Sequence, residues 1–140
     1  MHKLSLLLAL VSALLSLGAA ALYLPARRFK PYHAVVSGRE WASLEPGLQT
    51  IIRGMLRIVA SGFLACGLAL VFFLVPLSRG EVWACWAALA VTLAVWLPTL
   101  LVTFMLKRAA PSARPPTALV SVILAVALLA FGTSLLAHLQ

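Results

Sequence analysis

Charged residues divide the chain into four long apolar runs, and the distance between charges, more than any motif, organises the sequence. A hydrocarbon layer roughly 30 Å thick takes about 20 apolar residues in a helix. That predicts spans at 4–24, 52–75, 82–106 and 117–139, with connectors at 25–51 and 107–116 and a short turn at 77–81. The expected fold is all-α: four transmembrane helices in an antiparallel bundle, one membrane domain over 1–140. Within the runs, small residues recur at helical spacing. Ala9, Ser12, Ser16 and Ala20 give the first run one smooth face. Ser61, Ala65 and Ala69, with Gly62 and Gly67 beside them, do the same for the second, and Ala118, Ser121, Ala125 and Gly132 for the fourth. Helices in lipid associate largely by close backbone approach over small side chains, so each row is expected to pack against another helix. The third run carries Cys85, Ala88, Thr92, Trp96, Thr99 and Thr103 at spacings of three and four. This mildly polar stripe is expected to face the bundle and is a candidate wall, through Thr92, Trp96, Thr99 and Thr103, for a cavity or lateral portal that takes an apolar ligand.

Composition changes the picture little but closes off alternatives. With 64% apolar and 10% charged residues and a mean hydropathy of +1.08, the chain lies outside the range of soluble domains. The charge adds orientation. Arg27, Arg28, Lys30, Arg39, Arg53, Arg57, Lys107, Arg108 and Arg114 flank the two longer connectors, nine of the eleven Lys and Arg, whereas only Lys3 and Arg79 lie on the other side. Positive residues near span ends stay cytoplasmic, which predicts cytoplasmic connectors, outward termini and a multi-pass location in a bacterial inner membrane. The net charge of +8 is then a topology signal, with anionic headgroups and not nucleic acid as its partner.

Taken in order, residues 1–23 resemble a signal peptide, but the apolar run is long and a basic cluster follows it, so an uncleaved span is expected. Pro25 and Pro31 are expected to end the first helix. Ser37 and Glu40 match a capping box, predicting a short helical turn that carries Trp41 along the membrane surface. Pro46, in a first-turn position, starts a second helix about 45 Å long up to Val75, whose first third projects from the hydrocarbon or tilts. Arg53 and Arg57 share one face of that part. They either snorkel to phosphates or form an anion site with His33 or Arg39 for a headgroup or a phosphorylated or carboxylate ligand. Pro76 is expected to end this helix, Trp83 and Trp86 to anchor the next at the interface, and Pro98 to kink it and free the carbonyl of Ala94.

The absences carry weight too. Glu40, Glu45 and Glu81 are the only acids and none falls inside a span, which argues against proton or cation coupling. His2, His33 and His138 are dispersed, so neither a metal site nor haem ligation is expected, and no cofactor is implied. Cys66 and Cys85 fall at different depths, which disfavours a disulfide. No catalytic set stands out. The stretch Pro31-Tyr32-His33-Ala34 through Trp41, Gln49, Arg53 and Arg57 resembles uncharacterised small four-helix inner-membrane proteins of bacteria, a resemblance that implies no activity. Span number and outward termini are also similar to the membrane-associated eicosanoid and glutathione enzymes. Here, however, Arg57 is not followed by the Asn and Glu that their pattern requires, so their activity is not carried over.

The expectation from sequence is therefore a non-enzymatic accessory or interaction subunit that forms homo- or hetero-oligomers through transmembrane helices. A small transporter or lipid-binding protein is the alternative, and a membrane-embedded enzyme comes after it.

Overall fold

The computed structural model of the chain describes residues 2–138, with side chains from Lys3 to Leu135; the side chains of His2 and His138 lie outside the described residues. The described residues are all-helical, with five α-helices and no strand. These are α1 (His2–Tyr23), α2 (Pro31–Ser37), α3 (Pro46–Ser78), α4 (Val82–Ala109) and α5 (Thr117–His138), with a 3₁₀ turn at Trp41–Ser43. Four of them, α1, α3, α4 and α5, are long and apolar enough to cross a membrane. α1 lies against α3 and α5, and α4 against the same two.

The ends of the helices follow from local chemistry. Pro25, which has no amide to extend the ladder, closely follows the last turn of α1. Pro31, expected to help end that helix, instead begins α2: it occupies the first turn, where a missing amide costs nothing. Ser37 and Glu40 do not form a capping box. Ser37 is the last residue of α2, and Gly38 follows at φ 63°, the left-handed conformation that commonly closes a helix. The turn carrying Trp41 forms all the same, with Glu40 at its N-cap but making no side-chain cap bond. Gln49 of α3 secures it by donating from Nε2 to the carbonyls of Trp41 (3.0 Å) and Leu44 (3.1 Å). Pro76 does not end α3. It sits in the last turn, and the helix runs on to Ser78 before Arg79 bonds back to the carbonyls of Val75 and Pro76. At 33 residues α3 is about 50 Å long, some 20 Å more than a bilayer core needs.

Small residues bring the helices together at the end that carries the α3–α4 turn and both termini. Ala9, Ala13, Ala84, Ala88, Ala127 and Ala130 are each at most 1% exposed there. Phe131 and Leu70 fill the centre, and Ser5 and Thr133 share a hydrogen bond of 3.0 Å between α1 and α5. A cavity among Ser5, Leu77 and Phe131 in this part has a volume of only about 10 Å³, about one water in size.

Of the three small-residue rows and the α4 stripe, two face inward as expected. The α1 row, Ala9, Ser12, Ser16 and Ala20, is fully buried, and on α4 Cys85, Ala88, Thr92, Trp96 and Thr103 are buried with Thr99 partly so. The other two are exposed or only partly covered, and Gly67, expected beside the α3 row, is buried on a different face of that helix. On α3, Ser61 and Ala65 are exposed and Gly62 and Ala69 only partly covered, because the buried face runs through Leu56, Ala60, Phe63, Cys66, Gly67 and Leu70. That face wins because Gly67 lets Leu17 of α1 come so near that a Cβ on Gly67 would lie 2.7 Å from Leu17 Cγ. On α5, Ala118 and Ala125 are exposed, and Val120, Ile123, Leu124, Ala127, Ala130 and Phe131 make the contacts.

Candidate binding cavity at the connector end

From Trp96 toward the connectors the four long helices surround a cavity of about 950 Å³. Its floor is aromatic. Phe63 of α3 stacks on Trp96 of α4, with centroids 4.7 Å apart and planes at 21°, and Tyr23 meets Phe63 edge-on at 5.8 Å. Trp96 is held from behind by a chain of hydrogen bonds: its indole N–H donates to Ser16 Oγ (3.1 Å), and Ser16 donates to the carbonyl of Ser12 (2.9 Å). Cys66 Sγ lies 3.7 Å from the same Ser16 oxygen, and both cysteines are buried and free. The Pro98 region has its own arrangement. The Trp96 indole is committed to Ser16 and does not serve the Ala94 carbonyl, and Thr99 donates to the carbonyl of Val95 (2.7 Å).

The walls above the floor are apolar: Leu15 and Ala19 of α1, Leu56 of α3, Leu106 of α4 and Ile123 of α5. Thr99 and Thr103 complete the α4 wall; Thr92, one turn beyond Trp96, does not line the cavity. The rim includes Leu14, Leu22, Val59, Val102 and Leu119, all exposed, so the cavity is continuous with the surface that hydrocarbon would cover.

The mouth is polar and is built by the connector. The two prolines and α2 fold the chain back over the end of α1, so that Tyr23 and Tyr32 share a hydroxyl hydrogen bond of 2.8 Å. Burial, and to a lesser degree the Tyr23 hydroxyl, push the Tyr32 phenol well above its usual range, so it stays protonated. Lys30 Nζ bonds to the Leu22 carbonyl (3.2 Å) and sits 5.0 Å from the centre of the Tyr23 ring. Arg114 joins the mouth from the second connector. His33 accepts the Lys30 amide at Nδ1 (3.2 Å), and burial followed by the Lys30 charge holds its pKa below the ordinary 6.5. It also lines a second cavity of about 380 Å³, shared with Phe29, Arg39, Leu44 and Ile52, and so forms part of the boundary of both spaces.

The residues proposed from sequence for an anion site are thus divided. His33 and Arg39 meet at the smaller cavity, whereas Arg53 and Arg57 are exposed on α3 and line neither. Arg53 bonds locally to the Gln49 carbonyl and Thr50 Oγ1. One residue of helix is about 100° of rotation, so the row through Ile52 and Leu56 faces inward while the row through Arg53 and Arg57 turns away. Tyr23, Lys30, Tyr32, Phe63 and Arg114 were not singled out from sequence as cavity residues. The available signal was the pair of prolines that returns the connector onto α1, and its geometry depends on contacts far apart in the chain. Among the described residues no group of His, Cys, Asp and Glu could hold a metal ion.

The fold and cavity define an all-helical protein of the multi-pass membrane class. No protein-family model matches the chain, and neither a curated protein nor a solved structure shows significant similarity to it.

Proposed function

We propose that this protein binds an apolar or amphipathic molecule inside the membrane, as a small carrier or lipid-binding protein. The observation that carries this reading is the cavity of about 950 Å³ beside Trp96 and Thr99: it falls in the range of small-molecule sites, its walls are largely apolar and its charged groups, Lys30 and Arg114, lie at the connector end. A stripe whose residues were all packed against neighbouring helices would instead favour a purely structural subunit. A catalytic site would need groups such as His33, Arg53 and Arg57 to converge, and the two arginines turn away from the cavity that His33 lines.

In this reading the chain is an antiparallel four-span bundle with the connectors in the cytoplasm, supported by the nine cations at the connector end against two at the other. Among the described residues those cations have no carboxylate partner, so anionic headgroups balance their charge, with Arg53 and Arg57 snorkelling to phosphates. New thiols at Ser37 and Ser112 in a Cys-free variant will be labelled only once the inner membrane is opened; labelling in intact spheroplasts would reverse the orientation.

The test of function is native mass spectrometry of the protein extracted from its own membrane in mild detergent, with bound species released and identified. Retention of a defined lipid or small molecule supports the binding reading, and a chain that emerges bare of any such molecule overturns it. A second reading, an oligomer that joins through transmembrane helices, draws on the α3 face where Ser61 and Ala65 lie exposed beside Leu68 and Phe72, the last 74% exposed. The same spectra report subunit stoichiometry.

A further inference from the structure

The chemistry of the guest can be read from which polar groups around the large cavity are already bonded and which are free, an argument that rests on the cavity being a ligand site. Deep in the cavity the side-chain donors are committed: Thr99 to the Val95 carbonyl (2.7 Å), Thr103 to the Leu100 carbonyl (2.8 Å) and Trp96 to Ser16 (3.1 Å). A guest with acceptors along its length would exchange water for nothing there, at roughly 1–3 kcal/mol per group. Acceptors on the buried part of the guest are therefore disfavoured, and a plain hydrocarbon chain fits this depth.

The mouth differs. Lys30 and Arg114 both line it, and no carboxylate lines the cavity. Arg114 has no hydrogen-bond or ion-pair partner among the described residues. Two cations at the edge of a low-dielectric space select a negative charge, and a guanidinium matches a carboxylate or phosphate in geometry.

Depth fixes the remaining property. Along α1 the lining runs from Leu14 to Tyr23, and along α4 from Trp96 to Leu106, about 14–15 Å in each case. That is half of a hydrocarbon core of roughly 30 Å, or one leaflet. We infer that the cavity holds an anionic amphiphile of the leaflet nearest the connectors, with a carboxylate or phosphate head at Lys30 and Arg114 and an unsubstituted alkyl chain reaching Trp96. The exposed rim at Leu14, Leu22 and Leu119 lets such a molecule slide in sideways with its head still in the interface.

The test uses the full chain with Trp41, Trp83 and Trp86 changed to Phe, so that Trp96 alone fluoresces, in vesicles of zwitterionic phosphatidylcholine. Trp96 lines the cavity and is otherwise enclosed, so quenching by brominated phosphatidylcholine of the bulk bilayer gives the baseline against which each probe is read. The probes are a dibrominated fatty acid, a dibrominated lysophosphatidic acid and a dibrominated monoacylglycerol of equal chain length. At least one anionic probe is expected to quench Trp96 saturably at a tenfold lower mole fraction than the neutral one, and which of them does so tells carboxylate from phosphate. Lys30→Gln with Arg114→Gln should erase the preference, whereas Arg27→Gln with Arg28→Gln, exposed residues outside the cavity, should leave it. Equal quenching by all three probes overturns the anionic assignment while the cavity remains a ligand site. No saturable quenching by any probe overturns both. Competition among the same probes for the wild-type protein, read by native mass spectrometry, gives the same decision if the single-tryptophan variant does not fold.

Discussion

The two halves of this molecule, divided near Trp96, are built from the same four helices and differ in how closely those helices approach. Toward the termini, alanines at most 1% exposed occupy the contact positions on α1, α4 and α5, and the cavity beside Phe131 is only about 10 Å³. Toward the connectors, the facing positions carry Phe63, Trp96, Leu56 and Leu106, and the gap is about 950 Å³. The contrast shows that large side chains do not by themselves fill space in a membrane protein. Small ones let backbones meet, so that dispersion acts along whole helices. Large ones hold the helices apart, and what lies between them becomes a chamber. The hydrogen bond from Trp96 to Ser16 sits where one regime gives way to the other.

The sharpest way to break the contrast is to enlarge a residue in the tight half. Ala88→Leu, at a fully buried position, forces helices apart and should cost about 3 kcal/mol, read as a fall in the unfolding midpoint in a denaturing-detergent titration. A pair of glycines compares the regimes directly. A Cβ at Gly67 would meet Leu17 at 2.7 Å and its backbone nitrogen at 3.1 Å, whereas one at Gly18, in the cavity wall, meets nothing within 4 Å. Gly67→Ala should therefore destabilise by about 2 kcal/mol, and Gly18→Ala should stabilise by up to about 1 kcal/mol through helix propensity, both measured in the same titration. At the boundary, Ser16→Ala strands the Trp96 indole N–H in an apolar site. The expected cost is about 1–2 kcal/mol, with a shift in Trp96 emission as the local reporter.

Val102→Trp, on the rim of the cavity, should change stability by less than about 0.5 kcal/mol, yet reduce amphiphile binding by tenfold or more in the quenching assay. The smallest effect belongs to His33. Because its folded pKa lies below the unfolded 6.5, the unfolded chain takes up the proton first as pH falls. The stabilisation from the neutral ring is complete above about pH 6.5 and is lost as pH drops through the folded value. NMR of the imidazole should show a midpoint below 6.5, and His33→Gln should flatten the corresponding slope in stability.

How much of this could be read beforehand depends on whether a property is local. The α1 row and the α4 stripe were legible because polar side chains, Ser12 and Ser16 on α1 and Thr92 and Thr103 on α4, mark one face of each helix. On α3 two small-residue rows compete: Ser61, Ala65 and Ala69 on one, Ala60 and Gly67 on the other. Periodicity ranks them equally, and the approach of Leu17 decides. The arginine pair was legible as a pair and not as part of a site, because one residue of register separates an outward-facing row from a cavity-facing one. The Ser37–Glu40 pattern misled for a similar reason: Gly38 after Ser37 makes that serine a helix end and not a start.

The sequence by itself determined the four long helices and the imbalance of charge between their two ends, since each follows from hydropathy and charge summed over neighbouring residues. Only the tertiary structure decided which small-residue row is buried, that Tyr23 reaches Tyr32, and that four helices closed at one end stand apart at the other. Those outcomes depend on the relative bulk of side chains from different helices meeting at the same depth, and no single segment contains that comparison.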